Sequence, residues 1–323
     1  MTQKELNDFE KIIGELDKKI NELKQKNLDQ GETTSEEYLE LETKRDTLLK
    51  EFFANLDSWD NVLLARHQKR PYTLDYVRAI FDEFIELHGD RLYADDHAMV
   101  CGIGNIGDLQ VAFVGQQKGR DLKERQFRNF GSAKPEGYRK AMRIMKLAEK
   151  FNRPVVCFVD TPAADCSVGA EERGISEAIA RNMMDMVGLK VPVIAIVIGE
   201  GGSGGAIGIA VANKVAMLEH SVYSVIPPEG CAAILWRDPT KAKDAALALK
   251  LSADKVKEIG VADDIISEPL GGAHRSVDQT AENIKEYIIK TINELSQMSK
   301  DELANQRYEK FRNLGKFGVK TED

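Results

Sequence analysis

What this chain has little of narrows its chemistry. Four cysteines, at 101, 157, 166 and 231, are scattered over 323 residues. No two stand as Cys-x-x-Cys, so the spacings fit neither a zinc module nor a redox pair. Cys101, Cys157 and Cys231 sit in apolar runs and read as buried thiols. Five histidines, at 67, 88, 97, 220 and 274, include no His-x-x-x-His pair, and no metal site is expected from spacing. Long apolar runs are missing as well. The longest, from Val191 to Ile198, is far too short to span a bilayer. Charge from Lys4 onward leaves no apolar leader core, so a cytoplasmic location with no membrane partner is the expectation. Positive charge is not in excess: the formal net charge of -8 argues against nucleic acid as the main partner.

What is present suits a folded globular chain. Hydrophobic residues make up 42% and charged residues 30%, which allows a sizeable core under a well-solvated surface. The stretch from Val191 to Ala212 organises the rest. Val191-Pro-Val-Ile-Ala-Ile-Val-Ile198 is apolar and β-branched, the pattern of a strand buried on both faces. Gly199-Glu-Gly-Gly-Ser-Gly-Gly205 follows, and then a small apolar run suited to a helix packed close to that strand. A glycine loop at a helix start leaves backbone N–H groups unpaired and attractive to negative charge. Four readings stand. Gly199-x-Gly201-x-x-Gly204 with Glu219 about 20 residues on fits a dinucleotide fingerprint, although the helix is short for one. A phosphate loop is excluded, because Gly205 stands where lysine is required. The third is an oxyanion hole for a carbonyl oxygen that becomes negative during reaction. The fourth is a tight strand–helix turn with no chemistry.

Helical spacing from Leu6 to Leu23, a break at Gln30-Gly-Glu-Thr-Thr34 and a cap at Ser35 predict an antiparallel helical hairpin. Arg66-His-Gln-Lys-Arg-Pro71 reads as a surface turn, and Leu74 to His88 as a helix. Ala98 to Gly104 and Leu109 to Gly115 are expected to pair as a β-hairpin. Gln116 to Lys134 is polar and basic, either a mobile anion-contacting segment or a solvated loop. Pro135 to Phe151 reads as a helix, Pro154 to Asp160 as a buried strand, Lys214 to Glu219, Val222 to Ile226 and Val261 to Ile266 as short strands, and Thr280 to Arg312 as helical. Strands alternating with helices give a layered α/β domain whose strand ends carry three loops of interest, 160–170, 199–205 and 226–230.

Arg70-Pro-Tyr-Thr-Leu-Asp-Tyr-Val77, Glu86-Leu-His-Gly-Asp-Arg91, Arg128-Asn-Phe-Gly131, Pro135-Glu-Gly-Tyr-Arg-Lys-Ala141, Gly169-Ala-Glu-Glu-Arg-Gly174, Val197-Ile-Gly-Glu-Gly-Gly-Ser-Gly-Gly-Ala206, Pro228-Glu-Gly-Cys-Ala-Ala-Ile-Leu-Trp236 and Glu268-Pro-Leu-Gly-Gly-Ala-His-Arg275 occur in that order. Together they resemble the carboxyltransferase alpha subunits of bacterial acetyl-CoA carboxylase, over nearly the whole chain. The resemblance implies an α/β, crotonase-like (ClpP/crotonase) spiral of ββα units. The expected division is an N-terminal helical hairpin at 1–58, a carboxyltransferase domain at 59–297, and a C-terminal helix and tail at 298–323. It implies a beta chain carrying a zinc ribbon, an α2β2 heterotetramer, a biotin carboxyl carrier protein, and a biotin carboxylase that uses the ATP.

The implied reaction moves a carboxyl group from carboxybiotin to acetyl-CoA, giving malonyl-CoA for fatty-acid synthesis. In the family's usual mechanism carboxybiotin releases CO2 and the biotin anion takes the acetyl proton. That agrees with finding no Ser/His/Asp set and no obvious carboxylate pair. The protein stabilises two negative oxygens, and each well-placed amide is worth roughly 3 kcal/mol of barrier. By motif, the Gly204 and Gly205 amides hold the ureido oxygen of biotin, and a glycine pair on the beta chain holds the thioester oxygen. Gly201, Gly202 and Ser203, with Ala164, Gly169, Pro228, Glu229 and Gly230, carry over as substrate-binding positions. Lys118, Arg120 and Arg128 are candidate contacts for the CoA phosphates. The chain departs from the family pattern at Ala163, Asp165, Cys166 and Ser167, where glycine, an aromatic, proline and glycine are usual, and at Pro227, usually serine. Those changes keep two alternatives open: another acyl-CoA as substrate, for a carboxyltransferase or decarboxylase, or a silent paralogue that scaffolds the complex.

Overall fold

The computed structural model describes residues 1–29 and 35–315; the break expected at 30–34 and the tail from 316 lie outside the described residues. Two helices open the chain, α1 (Gln3–Asp29) and α2 (Glu36–Phe53), the second capped by the Ser35 hydroxyl. They form the expected hairpin, with Phe9 stacked on Phe52 at 3.7 Å. The sequence reading passed over a third helix, α3 (Ser58–Ala65). Its signal was legible: Asp57 and Asp60 form a reciprocal capping box. Leu63 and Leu64 of α3 pack with Leu6 of α1, which seats the hairpin on the body.

Next come α4 (Thr73–Ile80), β1 (Glu83–Glu86), β2 (Met99–Ile106) and β3 (Leu109–Gln116). The helix expected over 74–88 therefore stops at Ile80. Phe81, Phe84 and Leu87 fit helical spacing, but the Asp82 amide donates to the Asn105 carbonyl and residues 83–86 add an antiparallel edge to β2. Pairing across the sheet outweighs the local pattern. The β2–β3 hairpin is as expected, with Ile106 opposite Leu109 across a two-residue turn. The basic segment after it is structured: α5 (Leu122–Phe127) is capped by Asp121 and followed by a 3-10 turn at Asn129–Gly131.

The remaining elements are α6 (Pro135–Lys150), β4 (Val155–Thr161), α7 (Val168–Glu172), α8 (Ile175–Val187), β5 (Val193–Gly202), α9 (Ser203–Ile207), β6 (Lys214–Leu218), β7 (Val222–Ser224), α10 (Pro228–Trp236), α11 (Ala242–Leu249), α12 (Ala253–Glu258), β8 (Asp264–Ile266), α13 (Val277–Leu295) and α14 (Lys300–Arg312). The helix expected over 280–312 is thus two helices, the second begun by a Ser299–Glu302 capping box.

The sheet runs β1-β2-β3-β4-β5-β6-β8, with β7 pairing the far end of β5. From β3 to β8 along that order the neighbours are parallel. β5 is the central strand. Val193, Ala195 and Val197 face one core, with α6 and α8; Ile194, Ile196 and Ile198 face the other, with α4 and α13. A run buried on both faces is why its sequence does not alternate. Each buried valine or isoleucine among them contributes about 1.5–3 kcal/mol. α14 is fastened from within. The buried Arg307 guanidinium donates to the carbonyls of Met186, Val187, Leu189 and Val191 at 2.8–3.0 Å and to Asn213 Oδ1 at 2.6 Å.

Candidate active site

Parallel strands put their C-terminal ends on one side, and β3, β4 and β5 each end in a segment that carries chemistry-bearing residues. At β5 the chain leaves the sheet at Gly202 and turns into α9 through Ser203, whose φ is +49°. A non-glycine residue in that region stores strain, and strain of this kind gathers at functional turns. α9 is five residues long, so the Gly204 and Gly205 amides lie in its first turn, where no preceding turn supplies an acceptor. Neither amide has an acceptor elsewhere among the described residues. The short helix also removes the dinucleotide reading, which needs a full-length helix behind the fingerprint. Glu219, its acidic partner in that reading, instead accepts from the Glu268 amide at 3.0 Å.

Glycine is required at two points where the loops close on each other. A Cβ at Gly202 would stand 2.0 Å from the Pro162 carbonyl oxygen, and one at Gly205 would stand 2.6 Å from the Ala164 nitrogen. The β4 loop thus lies directly on the β5 loop. Gly204 has room, with nothing nearer than the Ile179 methyl at 3.6 Å. Behind the turn the Gly205 carbonyl is pinned by Gln116 Nε2 at 2.8 Å and the Tyr138 hydroxyl at 3.2 Å. Gln116 also accepts from the Asp160 amide at 3.0 Å, so one side chain registers the ends of β3, β4 and β5.

A chain of alternating charges crosses the same ends. Lys118 Nζ lies 2.8 Å from Asp160 and 2.9 Å from Glu200; Arg66 joins Glu200 at 2.7 Å and Glu229 at 2.5 Å. Burial alone would raise the Glu200 carboxyl, but Lys118 and Arg66 hold it down at about 2. Beneath it, Arg70 is fully buried, joined to Glu268 at 2.5 Å and donating to the Ile198 carbonyl at 2.7 Å. The basic run expected as a surface turn is therefore structural: its arginines reach inward to acids far along the chain, which no local pattern reveals. A carboxyl whose pKa is depressed by folding contributes stability above its unfolded pKa and loses it as pH falls toward the folded one. Glu200→Gln should therefore lower stability at neutral pH. The gap from the parent chain should close between pH 4.5 and about 2 in urea titrations; a gap independent of pH would contradict the ion chain.

The structure brings Ala164, Gly201, Gly202, Ser203, Gly204 and Gly205 together, with Pro228, Glu229 and Gly230 at the start of α10 joined to them through Arg66. Gly169 stands apart in the first turn of α7. Lys118 is consumed by the ion chain. Arg120 is likewise committed, to Asp75, to the Gln68 and Arg70 carbonyls and to the face of Tyr72. Arg128 donates to the His97 carbonyl and keeps Nε unpaired. Asp165 folds back on Ser167, accepting from its amide and hydroxyl at 3.0 Å. Arg66, Glu200, Asp160, Gln116 and Phe130 were missed as site residues. Phe130, at φ +55°, borders a cleft of about 220 Å³ with Arg66, Lys118, Pro162 and Glu200. A cavity of about 820 Å³ lies at the β1–β2 edge beside α6, touches none of these loops and carries no part of the site.

An N–H donor pair suits an oxygen that gains negative charge, and a carboxyl-bearing urea or a thioester offers one. A family model described as acetyl co-enzyme A carboxylase carboxyltransferase-like matches residues 6–315. Two Staphylococcus aureus proteins named acetyl-coenzyme A carboxylase carboxyl transferase subunit alpha are 53% and 54% identical over 310 residues, 96% of this chain and 99% of theirs. Among solved structures, transcarboxylase 12S with methylmalonyl-coenzyme A and methylmalonic acid bound matches with a TM-score of 0.59 at 17% identity. The match covers 73% of this chain and 44% of that one. A Pseudomonas malonate decarboxylase hetero-tetramer in complex with coenzyme A gives 0.58 at 14% identity, over 72% and 91%. Likeness at these identities is one of fold, and the α/β, crotonase-like architecture expected from the sequence is the one they share.

Proposed function

Because the chain belongs to the family of acetyl-CoA carboxylase carboxyltransferase alpha subunits, we propose that it transfers the carboxyl group of carboxybiotin to acetyl-CoA, together with a beta subunit. The observation that carries this reading is the pair of adjacent amides at Gly204 and Gly205, without an acceptor among the described residues, the second walled by the Ala163–Ala164 backbone. The biotin of a separate carrier protein, when bound, supplies both the carboxyl group and the base. The chain's own residues supply position and charge stabilisation. The Gly204 and Gly205 amides donate to the oxygen that gains charge, and Gln116 and Tyr138 hold the Gly205 peptide so that no reorganisation is needed as charge develops. The ion chain fixes the 160–170, 199–205 and 226–230 loops relative to one another. Gly201, Gly202 and Ser203 line the same turn, and of the three basic candidates Arg128 is the one with no carboxylate partner among the described residues, which keeps it as the candidate contact for a CoA phosphate.

The beta chain is the partner this reading needs, with an α2β2 assembly, a carrier protein and a biotin carboxylase that consumes the ATP. Exposed apolar side chains beside the site support such a partner: Val225, then Ile234, Leu235 and Trp236 on α10, and Leu247 on α11. No described helix is long and apolar enough to cross a membrane, and the setting proposed is cytoplasmic fatty-acid synthesis. Reconstitution tests the assignment. Mixed with its beta chain, the protein should carboxylate acetyl-CoA in preference to propionyl-CoA, and either chain alone should be inactive. A preference for propionyl-CoA would reject the substrate.

A further inference from the structure

Beside these loops, under the N-terminal hairpin, the fold gathers three metal-ligating side chains that the sequence spacing kept apart. Glu10 comes from α1, His67 from the turn after α3, and His274 from the 3-10 turn Ala273–Arg275. Their ligand atoms lie within 4.8 Å of one another, and the two imidazole rings are 4.0 Å apart at their centroids. We propose that Glu10, His67 and His274 form a divalent transition-metal site, of the zinc class, that fastens α1 to the body of the protein. This is independent of the carboxyltransferase reading.

The donor set is two imidazoles and one carboxylate, the nitrogen–oxygen mixture that zinc accepts. Glu10 Oε1 approaches His67 Nε2 at 3.0 Å and His274 Nε2 at 3.2 Å. Metal–ligand bonds of about 2.1 Å in a tetrahedron place donors roughly 3.4 Å apart, so small side-chain shifts open the position. Glu10 Oε1 and His274 Nδ1 are buried outside hydrogen-bond geometry, while the other oxygen of Glu10 pairs with His67 Nε2 at 3.0 Å. Orphaned buried polar atoms call for an explanation, and a cation held by the two Nε2 atoms and Glu10 supplies one for Oε1.

Charge is available as well. The nearby Arg70 and Arg275 are already paired, with Glu268 and Asp17, which leaves the Glu10 carboxylate uncommitted to an arginine. A cavity of about 20 Å³ bordered by Glu10 and His274 has space for one water as the fourth ligand. One contact must yield. The Lys69 amide points at His67 Nδ1 at 3.3 Å, whereas metal on Nε2 needs the proton on Nδ1. Lys69 is exposed and lies in a turn, so that contact can be released.

Leu6, Phe9, Ile13, Leu49 and Phe53 pack on one side of the site, His67 borders the cleft of Arg66, Lys118 and Glu200 on the other, and the role assigned to the site is to staple rather than to catalyse. Cobalt(II) is the probe. Full-length protein stripped with chelator and titrated with Co²⁺ should take up one equivalent, show the visible d–d absorption of a four-coordinate ion, and melt at a higher temperature. Zn²⁺ should abolish the band by displacement. Glu10→Gln and His274→Asn, checked for folding by circular dichroism, should lose the band. His88→Asn, whose imidazole pairs with Asp95, and Cys166→Ser should keep it. No band from the parent protein would overturn the proposal without recourse to any variant. So would a band that survives Glu10→Gln, or one lost with Cys166→Ser.

Discussion

Gly205→Ala should reduce carboxyl transfer by the reconstituted complex by about 10²–10³, the cost of losing one preorganised donor at an oxyanion. Gly204→Ala, one residue earlier in the same motif, should stay close to the parent rate. The contrast follows from space. The new methyl at 205 meets the Ala164 nitrogen at 2.6 Å and the Ala163 carbonyl carbon at 2.7 Å, both backbone atoms that cannot swing aside. Relief requires the turn to back away from the β4 loop, carrying the amide off its target. At 204 the methyl reaches only ordinary contact with Ile179. Neither substitution removes an N–H, so any difference reports donor position rather than donor number. Steady-state kcat on the assembled complex, with melting temperature measured in parallel, decides the matter. Equal rates for both variants would remove the turn from catalysis. A loss in Gly205→Ala matched by loss of assembly would assign it to structure alone.

Glu268→Gln should cost about 3–5 kcal/mol of stability, because it leaves the Arg70 guanidinium buried without a counter-charge. Both side chains are all but inaccessible, at 2% and 0% exposure. Burial by itself would push the Glu268 carboxyl up, yet Arg70 and the surrounding donors hold it at about 2, so it is charged throughout the working range. An apolar replacement of both partners, Arg70→Met with Glu268→Leu, should not restore the parent stability. Arg70 also serves the Ile198 carbonyl, and Glu268 also accepts from the His220 amide at 3.0 Å and the Ala273 amide at 2.7 Å. Each group left bare costs about 1–3 kcal/mol. Denaturant midpoints for the single and double variants test this. A double variant as stable as the parent would mean that the pair is dispensable.

Much of the fold could be read from residues in sequence order, because its strongest signals are local. The run Val193–Ile198, the two-residue turn between β2 and β3 and the Ser35 cap each state their structure within a few positions. Errors fell where long-range partners decide. Residues 83–86 are helical by spacing and a strand by pairing to β2. Arg70 is polar by type and interior by virtue of Glu268, 198 positions away. The glycine turn was legible as a place for charge to gather, but the ion chain around it was not, since Lys118, Asp160, Glu200 and Arg66 meet only after β3, β4 and β5 are aligned. Glu10, His67 and His274 belong to the same class: no motif spans 264 positions, and only packing of the hairpin unites them.

Arg307 has a bearing on how the chain is made. Four carbonyls between α8 and β5, and the Asn213 side chain, depend on a guanidinium that emerges from the ribosome more than a hundred residues after most of them. Until then these carbonyls lack the guanidinium donor, although Met186 also accepts from the Leu189 amide and Asn213 Oδ1 from the Val193 amide. Closure of this seam therefore waits for α14: a nascent polypeptide interrupted upstream of position 307 lacks the donor that joins the end of α8 to the approach to β5.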